Sequence, residues 1–158
     1  MFEIRKATID DYKGICRLIT TKEELFLIYP KGTFPFTIDQ LEDIAGQRKS
    51  LTVMFDGEQV IGFANLYDYK RGEFAFIGNV VIAQKYRGKG MGKRLVSHML
   101  EVAQTEYALP EIRISVFSDN ARALLLYSSF GFSPYAIEER VNPAEQRVAL
   151  IHLSKKIR

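Results

Sequence analysis

The stretch richest in groups that could do chemistry runs from Ile77 to Arg94, Ile-Gly-Asn-Val-Val-Ile-Ala-Gln-Lys-Tyr-Arg-Gly-Lys-Gly-Met-Gly-Lys-Arg. An apolar run enters a loop in which Gly88, Gly90 and Gly92 alternate with Lys89 and Met91, and the pattern beyond it is that of an amphipathic helix. Glycines let a backbone approach a ligand closely. A helix N-terminus adds free N–H groups and the positive end of a dipole. Arg87, Lys89, Lys93 and Arg94 add cationic side chains. Together these features suit a pyrophosphate. By glycine spacing alone, the same residues read equally well as a tight strand-to-helix turn with solvated lysines. Two phosphate motifs are excluded. The G-x-G-x-x-G fingerprint needs a glycine where Lys93 stands, and a Walker loop needs a hydroxyl where Arg94 follows Gly92-Lys93.

A more specific pattern does fit. Arg87-Gly88-Lys89-Gly90-Met91-Gly92 matches R/Q-x-x-G-x-G/A. Further on, Asn120-Ala121-Arg122-Ala123-Leu124-Leu125-Leu126-Tyr127-Ser128-Ser129-Phe130-Gly131-Phe132 matches N-x-x-A-x-x-x-Y-x-x-x-G-F, with one helix and one strand between the two segments. The pair, in this order, resembles the GNAT superfamily of acetyl-CoA-dependent N-acetyltransferases over nearly the whole chain. The resemblance implies an α/β fold: a mixed, mostly antiparallel sheet of six to seven strands flanked by about four helices, with a splayed cleft between strands 4 and 5. It implies acetyl-CoA as co-substrate, no metal, and transfer of the acetyl group to a primary amine by direct attack on the thioester. By register, the pantetheine arm would pair with backbone at Val80, Val81 and Ile82. The pyrophosphate would lie on N–H groups from Arg87 or Gly88 through Lys89, Gly90, Met91, Gly92 and Lys93. Asn120 corresponds to an asparagine that contacts the cofactor arm, and Tyr127 to a tyrosine near the cofactor sulfur. Gln84 departs from the proline usual before the loop, which alters turn rigidity more than chemistry.

Such a reaction needs three things. The amine must lose a proton, since a lysine-type ammonium has a pKa of about 10.4 and no nucleophilic lone pair. The oxyanion must be stabilised, a role open to a strand N–H at Val81 or Ile82. The leaving thiolate must be protonated or hydrogen-bonded, and Tyr127 is the candidate general acid. Read in isolation, Tyr127 is a core aromatic on an Ala-Leu-Leu-Leu helix; the resemblance moves the reading to the acid. The general base stays open. Some family members carry a glutamate five residues before the asparagine, but that position here is Ser115, which cannot do that job at neutral pH. Glu73, Asp68 and a water chain held by backbone and Asn79 are alternatives, each carboxylate reading more readily as a solvated surface charge.

For the acceptor, the acids Glu23, Glu24, Asp39, Glu42 and Asp43 and the aromatics Phe26, Tyr29, Phe34 and Phe36 fall in the region after the first helix, where a cationic amine with an apolar part would be compatible. A small-molecule amine and a protein amine both remain open. A catalytically silent CoA-binding module is the alternative, and Tyr127 argues against it. A nucleic-acid binder using Lys85, Arg87, Lys89, Lys93 and Arg94 is disfavoured, because the cluster is short and has no series of stacking aromatics. A monomer and a homodimer are both compatible with the sequence.

The elements that must hold these residues can be read from periodicity. Strands are expected at Phe2–Ala7, Ser50–Phe55, Gln59–Tyr69, Glu73–Ala83, Ile112–Phe117, Phe132–Val141 and Gln146–Ile157. Helices are expected after Thr8 and Thr37, each with a capping residue three positions on, and at Met91–Glu106 and from Asn120 to Tyr127. Thr20 to Phe36 reads as irregular, since Pro30, Gly32 and Pro35 preclude a long helix. The order is βααβββ-loop-αβαββ. A length of 158 residues suits one domain, 1–158, with a real core. A net charge of +3 is too small to argue for nucleic acid. Cys16, the single cysteine, excludes an internal disulfide and reads as a small buried hydrophobe. His98 and His152 match no metal-ligand spacing. No apolar run spans a membrane and the N-terminus lacks a signal-peptide core, so a cytoplasmic location without membrane partners is expected.

Overall fold

The computed structural model describes residues 1–158. Seven strands form one sheet: β1 (Phe2–Lys6), β2 (Lys49–Asp56), β3 (Gln59–Lys70), β4 (Phe74–Ile82), β5 (Glu111–Phe117), β6 (Ser133–Val141) and β7 (Arg147–Lys156). Their spatial order is β1-β2-β3-β4-β5-β7-β6. All pairings are antiparallel except β4 with β5. That parallel pair needs a crossover, supplied by α4 (Met91–Thr105). Helices α1 (Tyr12–Cys16), α2 (Lys22–Ile28) and α3 (Ile38–Gln47) precede the sheet's central strands in sequence, and α5 (Ala121–Ser129) follows β5.

Alternation along the strands sends side chains to two apolar layers. On β2, Met54 joins the layer packed against Leu95, Val96 and Met99 of α4, whereas its neighbours Val53 and Phe55 join the layer with Ile15, Leu25, Leu41 and Ile44 from α1 to α3. Helices therefore cover both faces, as the mixed sheet requires.

The expected strands all form, with ends shifted by one residue or so. Thr37 caps α3 by accepting from the Gln40 N–H. Leu41 and Ile44 of that helix are buried, but Ile38 is exposed. One expectation is corrected: the segment read as irregular contains α2. Thr21 caps it by accepting from the Glu24 N–H, and it runs for seven residues before Tyr29. Pro30 and Gly32 limit its length, as their chemistry requires, but do not prevent it.

The feature that opens the molecule lies in β4. Pairing with β5 covers Phe74↔Glu111 to Ile77↔Ile114 and then stops. At this point β4 carries a bulge: Asn65 of β3 faces Gly78, but Phe63 faces Val81, so β4 uses one extra residue. Asn79 takes that place with φ 51°, a left-handed conformation that asparagine tolerates better than most residues. Its buried side chain is held by three bonds. Asn79 Oδ1 accepts from Arg48 Nη1 at 2.9 Å and from Asn65 Nδ2 at 2.6 Å, while its Nδ2 donates to the Ile28 carbonyl at 2.7 Å. Asn79 also lines the cavity, with one Nδ2 hydrogen unspent. Gly78 has a complementary role, since a Cβ there would lie 2.5 Å from the Tyr67 ring and 2.6 Å from Arg48 Nη1.

Replacing Asn79 by Val should destabilise the protein by about 2–4 kcal/mol, through left-handed strain on a β-branched residue and loss of partners for Arg48 and Asn65. Asn79→Gly should cost less, because it retains the conformation. Urea unfolding of both variants checks the order.

Candidate active site

Two hollows open where β4 leaves β5. A groove of about 810 Å³ runs along the end of β4 to the start of α4, with α5 as its other wall. A cavity of about 350 Å³ lies on the other side of the splay, walled by α2 and by β3 to β7. Val80, Asn120 and Tyr127 line both.

The groove gathers most of the residues expected to hold the co-substrate. Gly88 and Gly90 have φ of 75° and 83°, and Gly90 is the left-handed residue from which α4 starts. No backbone carbonyl accepts from the N–H groups of Gly88 to Lys93, so a nest of donors faces outward at the positive end of a fifteen-residue helix. Gly92 packs closely on α5, where an added Cβ would lie 3.3 Å from Leu126 Cδ2.

Some residues differ in role from the sequence reading. The Arg87 N–H donates to the Gln84 carbonyl, so the row of free donors begins at Gly88. The Arg87 side chain is also committed: Nε donates to the Ile82 carbonyl at 2.9 Å and Nη2 pairs with Glu24 Oε2 at 2.5 Å. It ties the loop to β4 and α2. Met91 is core, 8% exposed, and the Lys89 ammonium lies over the Tyr86 ring at 5.9 Å, so neither side chain lines the groove. Arg122 and Gln84 do line it. Arg122 lies within the second sequence motif, but the motif's pattern leaves its position unspecified.

The strand backbone sorts itself by alternation. The Ala83 N–H donates across to Ile61 of β3 at 2.7 Å, and Val81 stands opposite Phe63. Val81 therefore points its N–H toward β3 as well, and Val80 and Ile82 turn theirs toward the splay. Of the two oxyanion donors expected from sequence, Val81 is spent on the sheet. Val80, which borders both hollows, takes its place beside Ile82.

Tyr127 is 5% exposed, with its ring edge-on to Phe132. Burial, together with the nearby Tyr67, pushes its phenol well above the ordinary tyrosine range. It therefore holds its proton at any physiological pH, as a donor must. Asn120 caps α5 by accepting from the Ala123 N–H at 3.3 Å. Its side-chain oxygen is thus partly structural, and its amide lines the junction.

The cavity holds a second constellation. Ser115 Oγ lies 2.7 Å from His152 Nδ1, and His152 Nε2 lies 2.8 Å from Glu138 Oε1. The three residues come from β5, β7 and β6. Arg48, Tyr67 and Asp68 line the same cavity. Among the base candidates, Asp68 reaches the cavity, whereas Glu73 pairs with Lys70 on the surface turn and lines neither hollow. The expected acidic acceptor wall does not form. Glu23, Asp39, Glu42 and Asp43 are exposed and line neither hollow, and Glu24 lies on the groove side. Of the aromatics, Tyr29 lines the cavity, Phe26 stacks on Phe117, Phe36 is core and Phe34 is exposed. Outside the site, burial pushes the Cys16 thiol up to about 11, which keeps it from acting as a thiolate nucleophile.

Comparison with known proteins agrees with this geometry. Residues 17–132 match the Acetyltransferase (GNAT) family model. The spermine/spermidine N(1)-acetyltransferase of Bacillus subtilis (strain 168) is 30% identical over 91 residues, covering 53% of this chain and 59% of that protein. The chain thus matches somewhat over half the length of that relative. The L-amino acid N-acetyltransferase AaaT of Escherichia coli (strain K12) is 26% identical over 134 residues, covering 82% of this chain and 81% of its own. The fold is shared with the yncA acetyltransferase of Salmonella typhimurium, solved with acetyl-CoA, at TM-score 0.78 and 19% identity over 99% of this chain and 94% of that one. No helix is long and apolar enough to cross a membrane.

The link from Arg87 to Glu24 gives the loop a pH dependence. Burial acts to raise the Glu24 carboxyl, but hydrogen bonds from Thr20 and Arg87 outweigh it and leave the pKa below the ordinary glutamate value. A lowered folded-state pKa contributes stability above the unfolded value, about 4.3, that is lost as pH falls through the folded one. Glu24→Gln should therefore flatten the acid limb of a melting-temperature profile below about pH 5, and an unchanged limb would show that the pair carries none of it.

Proposed function

Because the chain belongs to the Acetyltransferase (GNAT) family, we propose that it transfers an acetyl group from acetyl-CoA to a primary amine by direct attack of the amine on the thioester. The observation that carries this reading is Tyr127, a buried phenol at the one junction where the groove meets the cavity. The groove fits the co-substrate. Free N–H groups from Gly88 to Lys93, with Lys93 and Arg122 beside them, suit a pyrophosphate. The unpaired edge of β4 beyond Ile77 suits the amide-bearing pantetheine arm. Acetyl-CoA brings the activated thioester, and this chain's residues place and polarise it.

The Val80 N–H, turned toward the splay, donates to the carbonyl oxygen as negative charge develops there. Tyr127 gives its proton to the departing sulfur, or shares it in a hydrogen bond. Ile82 and Asn120 hold the arm so that the carbonyl faces the cavity. The acceptor amine enters from the cavity. A small molecule fits its volume, and a protein amine delivered on an extended chain is compatible with its open mouth. A silent CoA-binding module would have no need of the second hollow, with its polar side chains, on the far side of Tyr127.

Thiol release from acetyl-CoA, measured across polyamines, free amino acids and short peptides, tests the reading directly. Tyr127→Phe should lower turnover by about 100-fold or more while leaving acetyl-CoA affinity intact. Gly90→Ala should do the opposite and weaken acetyl-CoA binding about tenfold, since an alanine at that left-handed φ costs about 1–2 kcal/mol. Full turnover in Tyr127→Phe would return that residue to a purely structural role.

A further inference from the structure

Of the carboxylates first considered for the amine's proton, Asp68 alone reaches the cavity, and the cavity contains a further acceptor that the sequence did not reveal. Resting on the acetyl-transfer reading, we propose that Ser115, His152 and Glu138 form a proton relay that deprotonates the acceptor ammonium, with His152 as the base that finally holds the proton.

The hydrogen bonds define the direction of the relay. The Glu138 carboxylate can only accept, so the proton on His152 sits on Nε2, 2.8 Å from Glu138 Oε1. That leaves the Nδ1 lone pair to accept from the Ser115 hydroxyl at 2.7 Å. Arg140 Nε donates to the other oxygen of Glu138, at 3.1 Å, and this bond, then the one to His152, holds the carboxyl below the ordinary glutamate range. Glu138 is therefore ionised at neutral pH and supports an imidazolium beside it. Tyr135 lies against the imidazole at 6.0 Å between ring centroids, and Arg113, paired with Glu111, sits over the Tyr135 ring. Tyr67 meets Ser115 from β3, with Asp68 next to it in the cavity wall. The acidic group in direct contact with the imidazole is Glu138.

The proton balance closes. The ammonium gives one proton to Ser115 Oγ as the serine hydroxyl gives its own to His152 Nδ1. The freed lone pair forms the C–N bond, the C–S bond breaks, and the sulfur takes the Tyr127 proton. The nitrogen, which still carries two protons once the C–N bond has formed, gives one of them to the Tyr127 phenolate as the amide forms, and His152 releases its proton to water. An imidazole is suited to this because it is the side chain that exchanges a proton nearest neutrality. A serine alone is not, which is why the relay matters at a position occupied by a hydroxyl.

His152→Asn retains a group able to accept from Ser115 but cannot hold the proton. It should lower kcat by about 100-fold with acetyl-CoA affinity and melting temperature unchanged. The variant's rate should climb with pH as free amine becomes available, so that its deficit relative to wild type shrinks at high pH. Ser115→Ala and Glu138→Gln should show the same loss to a smaller degree. Wild-type turnover and pH profile in His152→Asn would overturn the relay and leave the transferase reading standing, as would an acetyl group found on Ser115 by intact mass. Wild-type protein that releases no thiol with any amine would overturn the transferase reading itself.

A different observation bears on the far end of the acceptor. Arg48 lines the cavity, lies over the Tyr67 ring at 4.3 Å, and has no carboxylate within ion-pair distance. Its Nη1 is held by Asn65 and Asn79, while Nε and Nη2 donate to no group in the chain. Burial pulls its pKa down, and the charges of Tyr67, Tyr29 and Asp68 offset this only in part. A guanidinium so placed recognises carboxylates through its free fork. We infer that the acceptor is an amino-carboxylate, with its carboxylate on Arg48 and its amine at Ser115. Wild-type kcat/KM should favour amino acids over the matching decarboxylated amines by about tenfold or more. Arg48→Met should erase that preference, read within the variant as the ratio of kcat/KM for each amino acid to that of its decarboxylated amine, so that any loss common to both from a weakened bulge cancels. Equal or better use of decarboxylated amines or polyamines by the wild type would overturn the assignment, whatever the variant does.

Discussion

Both hollows of this protein depend on the separation of two parallel strands. β4 and β5 pair over four residues and then diverge, and the divergence is maintained rather than accidental. A bulge puts Asn79 in a left-handed conformation, and the buried group of Asn79, Asn65 and Arg48 fixes it against the end of α2. A bulge bends its strand and disrupts one ladder. Here it also releases the backbone N–H groups of Val80 and Ile82 from sheet duty. The polar groups that a continuous sheet would have consumed become the lining of a site.

The two hollows made by this parting differ in character. The groove is a place of backbone: free N–H groups in a row, the end of a long helix, and cationic side chains at its margins. Its most conspicuous cation, Arg87, supplies structure rather than charge to a ligand, through Glu24 and the Ile82 carbonyl. The cavity is a place of side chains drawn from five strands and α2. On the proposed reading, donor binding is built into fold geometry, whereas acceptor choice and proton removal rest on individual residues. Tyr127, belonging to both, keeps its proton because it is buried, and this suits it to meet the leaving sulfur.

Arg48 joins the two halves of this logic. One of its nitrogens stabilises the bulge that opens the splay, and the rest of its fork faces the cavity. Gly78 is needed for the same reason, since a side chain there would occupy the space of Arg48 and Tyr67. The residues that hold the strands apart are therefore also residues that a bound acceptor would meet.

By itself the sequence determined what is local. Alternation marked the seven strands, the capping pairs marked α3 and the 3-10 turn Ile9–Asp11 that leads into α1, and two contiguous motifs located the loop and the helix bearing Tyr127. Each of these is a pattern within a few residues of chain, where backbone geometry imposes a fixed period. A short helix with no apolar stripe of its own, α2, escaped that reading, because its capping threonine was masked by the prolines and glycine that follow. What only the tertiary structure decided is what comes from far apart. Ser115, Glu138 and His152 lie on three strands and share no spacing, so the serine looked inert and the histidine unattached until β6, β7 and β5 were laid side by side. The acidic stretch around α3 looked like an acceptor wall because charge can be counted in a sequence, but direction cannot: whether a carboxylate faces a cavity or water is decided by which face of its helix the core takes.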